Sequence, residues 1–217
     1  MIVSMWMTRS VVTVSPDVRI DAAAKLLLEN RIRRLPVLQD YAGDDVVVGI
    51  LSKTDLLHAY PSDVNPLRDA PFSGMEDLPC VKDIMSTPVV SIGPEEPIEK
   101  AATLMRSRKI GALPVLSESE LVGIITESDL FDAFTKVLTG GKNPVRVTFD
   151  GLDEEYRGFA ESVAKAAEIS DMRIASLISF EWKGRQRAVA RAVGERPEEF
   201  IREIRISGFR VLSIQRD

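Results

Sequence analysis

The chain has few of the residues that build disulfides, metal centres and acid–base catalytic sites. Its 217 residues include one cysteine, Cys80, and one histidine, His58. A single cysteine excludes an intrachain disulfide, and one histidine without a cysteine cluster gives little support for a metal site. No nucleophile and base accompany each other in a pattern typical of catalysis. We therefore predict a protein that is not an enzyme, holds no metal and requires no cofactor.

Long apolar runs and an excess of positive charge are also missing. No run approaches the ~20 residues that span a bilayer, and residues 1–9 lack the basic segment and apolar core of a signal peptide. The formal net charge of −5 argues against nucleic acid or an anionic membrane as the main partner. We expect a cytoplasmic protein that binds neither nucleic acid nor membrane.

One sequence unit occurs twice. Leu35-Pro36-Val37-Leu38 returns 78 residues later as Leu113-Pro114-Val115-Leu116. Further along, Gly49-Ile50-Leu51-Ser52-Lys53-Thr54-Asp55 matches Gly123-Ile124-Ile125-Thr126-Glu127-Ser128-Asp129, and the first copy carries four extra residues before this motif. Because one copy alone would leave an apolar face uncovered, we expect the two copies to pack as a pseudo-twofold pair.

Each copy is predicted to fold as β-α-β-β-α. In the first copy, the β-branched run Val11–Val14 indicates a strand. Ile20, Ala23, Ala24 and Leu27 form the apolar stripe of a helix over residues 18–30. Residues 35–38 and 46–51 then form a hairpin, whose loop length the sequence leaves open. The last helix begins near Thr54, or near Ser128 in the second copy, because a hydroxyl suits the N-cap position.

Composition changes mark the domain boundaries. Residues 61–79 contain four prolines and are predicted to be a surface connector. A second boundary follows from Thr139-Gly140-Gly141-Lys142-Asn143-Pro144. The predicted domains are the first repeat at 1–60, the connector at 61–79, the second repeat at 80–139, a linker at 140–144 and a third domain at 145–217.

The third domain is predicted to have the order βαββαβ, which is ferredoxin-like, with an antiparallel sheet and both helices on one face. Its predicted elements are the strand Val145–Phe149, a helix with the stripe Phe159, Val163, Ala166 and Ala167, the strands Ser176–Trp182 and Gln186–Val193, a helix from Pro197 to a C-cap at Gly208, and the strand Phe209–Ile214. The fold class is therefore α/β for the repeats and α+β for this domain.

Each repeat places a hydroxyl three residues before a carboxylate, at the junction of a strand and a helix. The pairs are Ser52 with Asp55 and Thr126 with Asp129. A helix N-terminus favours phosphate, and a carboxylate can accept two hydrogen bonds from vicinal hydroxyls such as those of a ribose. An aspartate in a first helical turn is also favourable with no ligand at all. The pattern alone leaves both interpretations open.

The repeats resemble the CBS (cystathionine-β-synthase) domain, and the pair resembles a Bateman module over residues 1–138. The resemblance rests on the two motifs above and on the starts Met7-Thr8 and Met85-Ser86. It implies a cleft between the repeats that binds AMP, ADP, ATP or S-adenosylmethionine. By motif position, Asp55 and Asp129 would hold ribose. Ser52, Thr54, Thr126 and Ser128 would lie near ribose or phosphate, and Val12 and Val90 would line the base pocket. We expect Asp129→Ala to abolish binding with little effect on stability.

The repeats differ just before the Leu-Pro-Val strand. The first has Arg33-Arg34 where the second has Gly111-Ala112. In nucleotide-binding relatives basic residues here reach phosphate, and the forked donors of guanidinium suit that role. The alternative is that the arginines interact with the C-terminal dipole of the preceding helix. We favour phosphate for Arg33 and Arg34 but not for Arg31, and the difference predicts two non-equivalent sites, one of which could be empty.

Residues 144–217 resemble an ACT domain, on the strength of the βαββαβ order and of Gly158, at the position of that family's turn glycine. The turn itself departs from Asp-Arg-Pro-Gly, since this chain has Glu155-Tyr156-Arg157-Gly158. The resemblance therefore implies packing against another protomer more than amino-acid binding.

The order of the three domains along the chain is similar to that of acetoin-utilisation family proteins. It implies a regulatory homodimer that senses an adenosine compound and acts on an unknown target protein. The alternative is a ligand-free dimerisation scaffold or adaptor.

Overall fold

The structure, a computed structural model, describes residues 1–59, 78–139, 144–150 and 156–216. These residues form two compact units, Met1–Phe131 and Asp132–Asp217. Most of the predicted connector at 61–79 and of the predicted linker at 140–144 lies outside the described residues.

The first unit contains the two sequence repeats, and in each a helix is followed by an antiparallel hairpin and a second helix. In chain order the elements are a 3₁₀ turn at Val3–Met5, α1 Ile20–Glu29, β1 Arg34–Tyr41, β2 Asp44–Ser52, α2 Lys53–Ala59, α3 Val81–Ile84, α4 Ile98–Arg108, β3 Ala112–Ser117, β4 Glu120–Thr126 and α5 Glu127–Thr139. The division between the two units falls within α5.

The strand predicted at Val11–Val14 is wrong, because only Val14 is paired, through one parallel bridge to Val37. The Val14 N–H donates to the Pro36 carbonyl, and the Leu38 N–H donates to the Val14 carbonyl. The next ladder bond would need an N–H on Pro36, which proline lacks, so pairing stops there. Ile92 makes the same single bridge to Val115 in the second repeat, where Pro114 stands in the equivalent place.

Both hairpins close through two residues at positive φ, the geometry of a type I′ turn. These are Ala42 and Gly43, at φ 59° and 101°, and Glu118 and Ser119, at φ 50° and 81°. The loop length left open by the sequence is therefore short. The four extra residues of the first repeat lengthen its strands, since β1 and β2 have 8 and 9 residues against 6 and 7 in β3 and β4.

The N-terminal segment of each repeat pairs with the other repeat. Thr8 exchanges two backbone hydrogen bonds of 2.9 Å with Ile124 of β4. Ser86 exchanges bonds of 2.9 and 3.1 Å with Ile50 of β2. The two copies are thus interlocked through backbone pairing as well as through their apolar faces.

The predicted apolar stripe of α1 is confirmed as core for three of its four residues, whereas Ala24 is half-buried. On α1, Ile20, Ala23 and Leu27 are at most 1% exposed, and on α4 the equivalent Ile98, Ala101 and Met105 are buried. The α1 residues pack with hairpin residues of the first repeat, and Leu78 and Val81 join the same core. Within the described residues, no helix has both the length and the apolar character to cross a membrane.

The second unit has the predicted order βαββαβ. Its elements are β5 Val145–Asp150, α6 Tyr156–Ile169, β6 Arg173–Trp182, β7 Arg185–Val193, α7 Pro197–Ile206 and β8 Val211–Arg216. The strands form one antiparallel sheet in the order β6-β7-β5-β8. Alternate residues of β5 and β7 share one core with both helices, which therefore cover the same face of the sheet.

The resemblance implied that Gly158 lies in a turn, but the structure places it in a helix. It is the third residue of α6, and it has open space around the position of a Cβ atom. The next residue, Phe159, is 1% exposed and makes an edge-on contact with Phe149, with ring centroids 4.8 Å apart. The buried face of α6 therefore begins at Phe159, directly after Gly158, and the helix includes both residues. At the far end of α7 the C-cap is Ser207, one residue before the predicted Gly208.

Candidate functional site

The two repeated Asp residues are fixed by capping boxes at the starts of α2 and α5. The Ser52 N–H donates to Asp55 Oδ2 at 2.7 Å, and the Asp55 N–H donates to Ser52 Oγ at 3.2 Å. In the second repeat, the N–H and the hydroxyl of Thr126 both donate to Asp129 Oδ2 at 2.7 Å. This is the reciprocal pattern that satisfies the first N–H groups of a helix.

The prediction that Thr54 and Ser128 cap these helices is wrong. The helices begin one residue earlier, at Lys53 and Glu127, so the capping hydroxyls belong to Ser52 and Thr126. The capping bonds also revise the expectation that Asp129→Ala would have little effect on stability. Among the described residues, the hydrogen bonds made to both carboxylates reach Oδ2, which leaves Oδ1 available to a ligand.

A first cleft, with a volume of about 250 Å³, surrounds Asp129. Its walls come from both repeats, since α5 and β4 of the second repeat face the segment that joins α1 to β1 of the first. The lining residues are Thr8, Ser10, Val11, Val12, Arg31, Ile32, Arg33, Arg34, Ile124, Thr126 and Asp129.

A second cleft, with a volume of about 330 Å³, surrounds Asp55 and is related to the first by the repeat. Its lining residues are Arg34, Ile50, Ser52, Thr54, Asp55, Ser86, Pro88, Val90, Lys109, Ile110, Gly111 and Ala112. The two clefts use equivalent positions, as shown by Val12 and Val90, which stand 78 residues apart in sequence.

The structure divides the predicted site residues between these two clefts. The first cleft brings together Asp129, Thr126, Val12, Arg33 and Arg34. The second brings together Asp55, Ser52, Thr54, Val90 and Arg34. Ser128 is exposed beside the first cleft, where its Oγ accepts a 3.0 Å hydrogen bond from Arg33 Nη2.

Sequence reasoning missed or set aside two basic residues. Arg31 lines the first cleft and Lys109 lines the second. They are equivalent in the repeats, and both stand at the end of a helix with φ near 55°. The sequence does contain a pattern that indicates these two residues, because a basic residue recurs at this place in both copies.

Arg34 has the most distinctive electrostatic environment of the residues in the clefts. It is half-buried. Loss of solvent lowers the pKa of its guanidinium, and the nearby charge of Arg33 lowers it further, while Glu127 and Asp55 raise it. Arginine stays charged at neutral pH despite such a shift. A half-buried cation near two carboxylates therefore lines both clefts.

Comparison with known proteins agrees with this arrangement. The family model of the CBS domain matches residues 3–62 and 81–136. A CBS domain-containing protein of Dictyostelium discoideum is 36% identical over 138 residues, which is 63% of this chain and 93% of the relative. Among solved structures, CBSX2 in complex with AMP is 28% identical, with a TM-score of 0.52 over 63% of this chain and 98% of that one.

Other relatives differ in how much of their own length this chain covers. A putative acetoin utilization protein (AcuB) from Vibrio cholerae is 28% identical, with a TM-score of 0.50 over 64% of this chain and 93% of that structure. An inosine-5′-monophosphate dehydrogenase of Korarchaeum cryptofilum is 33% identical over 127 residues, but the chain spans only 23% of that enzyme. The residues matched by the family model amount to more than half of the sequence. The chain therefore belongs to the CBS-domain family and carries the domain as a tandem pair.

Proposed function

We propose that the protein is a non-catalytic regulatory protein that senses an adenosine-containing ligand, AMP, ADP, ATP or S-adenosylmethionine, in the clefts between its two repeats. The observation that carries the proposal is the set of groups that each cleft combines. Each has an oriented carboxylate, an apolar valine and at least one cation. These groups complement a ribose, a purine and a phosphate. The relative solved with AMP, which is 28% identical, supports the same class of ligand.

The ribose role falls to Asp55 and Asp129. Their orientation is fixed before any ligand arrives, because the capping bonds hold Oδ2. A preorganised acceptor binds vicinal hydroxyls with little loss of side-chain entropy. A carboxylate accepts two such bonds, which distinguishes a ribose from a deoxyribose.

The size of the clefts favours a small nucleotide. Small-molecule sites have volumes from ~300 Å³ upward, and the two clefts, at about 250 and 330 Å³, lie just below and just above that limit. A nucleoside monophosphate suits such a site better than a triphosphate. Cations stand in the wall of each cleft, where a phosphate would be held by charge-assisted hydrogen bonds.

Regulation would follow from differential binding. A ligand that contacts both repeats stabilises the arrangement in which they are closed, and it shifts the population toward that arrangement by the ratio of its affinities. We infer that the second unit, which is ferredoxin-like and resembles an ACT domain, forms a contact in a homodimer and transmits the shift to a target protein.

Isothermal titration with AMP, ATP, S-adenosylmethionine and adenosine tests the proposal. We expect heat with at least AMP, and we expect Asp55→Asn with Asp129→Asn to lose it while Lys25→Ala, an exposed change on α1, keeps it. The alternative is a ligand-free dimerisation scaffold, favoured by the exposed side chains of Leu57 and Phe131, which are 73% and 72% exposed at equivalent positions. No heat with any of the four compounds, together with a dimer in solution, would establish the scaffold instead.

A further inference from the structure

We propose that the adjacent arginines serve different clefts, with Arg33 binding phosphate in the first and Arg34 binding phosphate in the second, and that Gly111 provides the space through which Arg34 reaches the second cleft. The inference rests on the proposed function and goes further, because it assigns each arginine to one cleft and gives Gly111 a role in the second. The sequence alone suggests instead that only one cleft has arginines for a phosphate, since the first repeat has two arginines where the second has Gly111 and Ala112.

Strand geometry separates the two arginines. Arg34 is the first residue of β1, and Arg33 directly precedes it. Successive side chains of an extended segment point to opposite sides. Arg33 lines only the first cleft, where it donates to Ser128, whereas Arg34 lines both clefts. Arg34 is the cross-strand partner of Ser52, which lines the second cleft, and paired residues of an antiparallel ladder share a side.

Gly111 is the position in the second repeat that corresponds to Arg33. The correspondence is visible in the backbone, because the carbonyl of Arg33 accepts from the Lys53 N–H and the carbonyl of Gly111 accepts from the Glu127 N–H. A Cβ atom on Gly111 would collide with Arg34 Nη2, and it would lie 3.0 Å from Arg34 Cζ and 2.8 Å from Glu127 Oε2. The guanidinium of Arg34 therefore occupies the volume that any side chain at position 111 would need.

The charges around Arg34 fit a ligand-binding role in the second cleft. Asp55 and Glu127 lie close enough to raise the pKa of Arg34, against the opposing effects of burial and of Arg33. Lys109 lines the same cleft. The first cleft has Arg33 and Arg31 in the corresponding roles. Each cleft thus has a cation from the start of β1 and another from a helix end, although the two arginines come from one repeat.

The assignment also predicts how the clefts differ. In the second cleft the carboxylates of Asp55 and Glu127 compete with a phosphate for the donors of Arg34. In the first, Arg33 is exposed and its observed partner is a neutral hydroxyl. We expect both clefts to prefer AMP over adenosine, with the larger preference in the first cleft.

The test measures AMP and adenosine binding by calorimetry in two backgrounds of the full chain. Asp55→Asn weakens the second cleft and reports mainly on the first, and Asp129→Asn does the reverse. Hydrogen bonds to charged groups are stronger than neutral ones, so removal of the arginine that serves the reporting cleft should cost at least about tenfold in AMP affinity. Adenosine affinity should change less than about twofold, because adenosine carries no phosphate to lose a contact.

Two single changes should then behave in opposite ways. Arg33→Ala should lower AMP affinity in the Asp55→Asn background and leave it unchanged in the Asp129→Asn background. Arg34→Ala should do the reverse. Gly111→Ala should match Arg34→Ala and should cost nothing further when Arg34 is already alanine, as a double-mutant cycle would show. Lys25→Ala is the control for a surface change, and thermal melts establish that every variant is folded.

The possible outcomes distinguish a failure of the proposed function from a failure of the arginine assignment. If wild-type protein binds neither AMP nor adenosine, the proposed function is wrong, and the assignment of the arginines falls with it. If wild-type protein binds AMP but both arginine changes act on the first cleft alone, or Gly111→Ala acts independently of Arg34, the proposed function stands and this inference is overturned.

Discussion

The sulfur of Met7 lies over Gly123, 2.6 Å from the place that a Cβ atom on this glycine would occupy. Met85 covers Gly49 in the same way, and closer still. Each repeat therefore supplies the methionine that packs on a β-strand glycine of the other. The same two segments carry the backbone pairing of Thr8 with Ile124 and of Ser86 with Ile50. The glycines at the start of each repeated motif are required by this exchange.

Gly123→Ala should destabilise the first unit. The new methyl group must displace Met7, and its Cβ would also stand 3.0 Å from the Thr8 carbonyl oxygen, which backbone pairing holds in place. Overpacking of this kind costs about 1–3 kcal/mol. Urea unfolding followed by circular dichroism measures the change. Gly158→Ala is the matched control, because open space surrounds that helical position, and there we expect stabilisation of up to about 1 kcal/mol. Equal effects at the two glycines would contradict the packing argument.

Asp129 should show separable contributions to stability and to binding. Asp129→Ala removes the acceptor of two 2.7 Å hydrogen bonds from Thr126 at the start of α5, a loss of about 1 kcal/mol. Asp129→Asn keeps an oxygen for the cap and should cost less stability. Both changes should lower AMP affinity, because an amide oxygen is a weaker acceptor for ribose hydroxyls than a carboxylate. Melting temperature and AMP titration of the two variants test this, and an alanine variant as stable as the asparagine variant would contradict the capping role.

Local periodicity was enough to predict much of the fold. The stripes of α1 and α4 are buried as expected, because a 3.6-residue period reports directly which helix face is covered. The order βαββαβ followed from alternating strands and from turns such as Lys183-Gly184, where both residues have positive φ. These features depend on neighbours a few residues away, which a single sequence displays.

Long-range features were not predictable in the same way. The pairing of Thr8 with Ile124 joins residues that no local pattern connects. The single bridge at Val14 depends on the missing N–H of Pro36, on another segment. The residues of the candidate site were named largely from the repeat and the family resemblance, but their division between two clefts was not. Arg33 and Arg34 are adjacent in sequence, and the structure shows that Arg34 reaches the second cleft as well as the first, whereas Arg33 lines the first alone.

Ala42 occupies a position of the first hairpin turn that disfavours its side chain. Its φ is 59°, and the following Gly43 has φ 101°. Asn-Gly is the preferred pair in such a turn, because asparagine tolerates positive φ. We expect Ala42→Asn to raise the unfolding free energy by about 0.5–1 kcal/mol. Ala42→Val should lower it, since a β-branched residue is strained at this φ. Chemical denaturation of the two variants is the measurement, and a valine variant as stable as wild type would show that the turn has a different geometry.

Asp150 should make the stability of the second unit depend on pH in the acid range. The carboxylate is 3% exposed and faces three arginines, with Arg187 Nε at 2.9 Å, Arg185 Nη1 at 3.4 Å and Arg210 Nη1 at 3.8 Å. The hydrogen bond from Arg187 lowers the pKa of Asp150 below its ordinary 3.8, burial opposes the shift, and the arginine charges reinforce it.

The sign of the effect follows from proton binding. Because the folded state has the lower pKa, the unfolded state binds the proton more readily, and protonation favours unfolding. The stabilisation is complete above the ordinary pKa of 3.8 and is lost as pH falls through the lower folded value. Asp150→Asn should therefore be less stable than wild type at neutral pH, and the two should converge as the pH falls below about 4. Urea midpoints between neutral and acid pH measure this, with the exposed Asp132→Asn as control. Parallel curves for wild type and Asp150→Asn would mean that the arginines do not act on the folded state through this carboxylate.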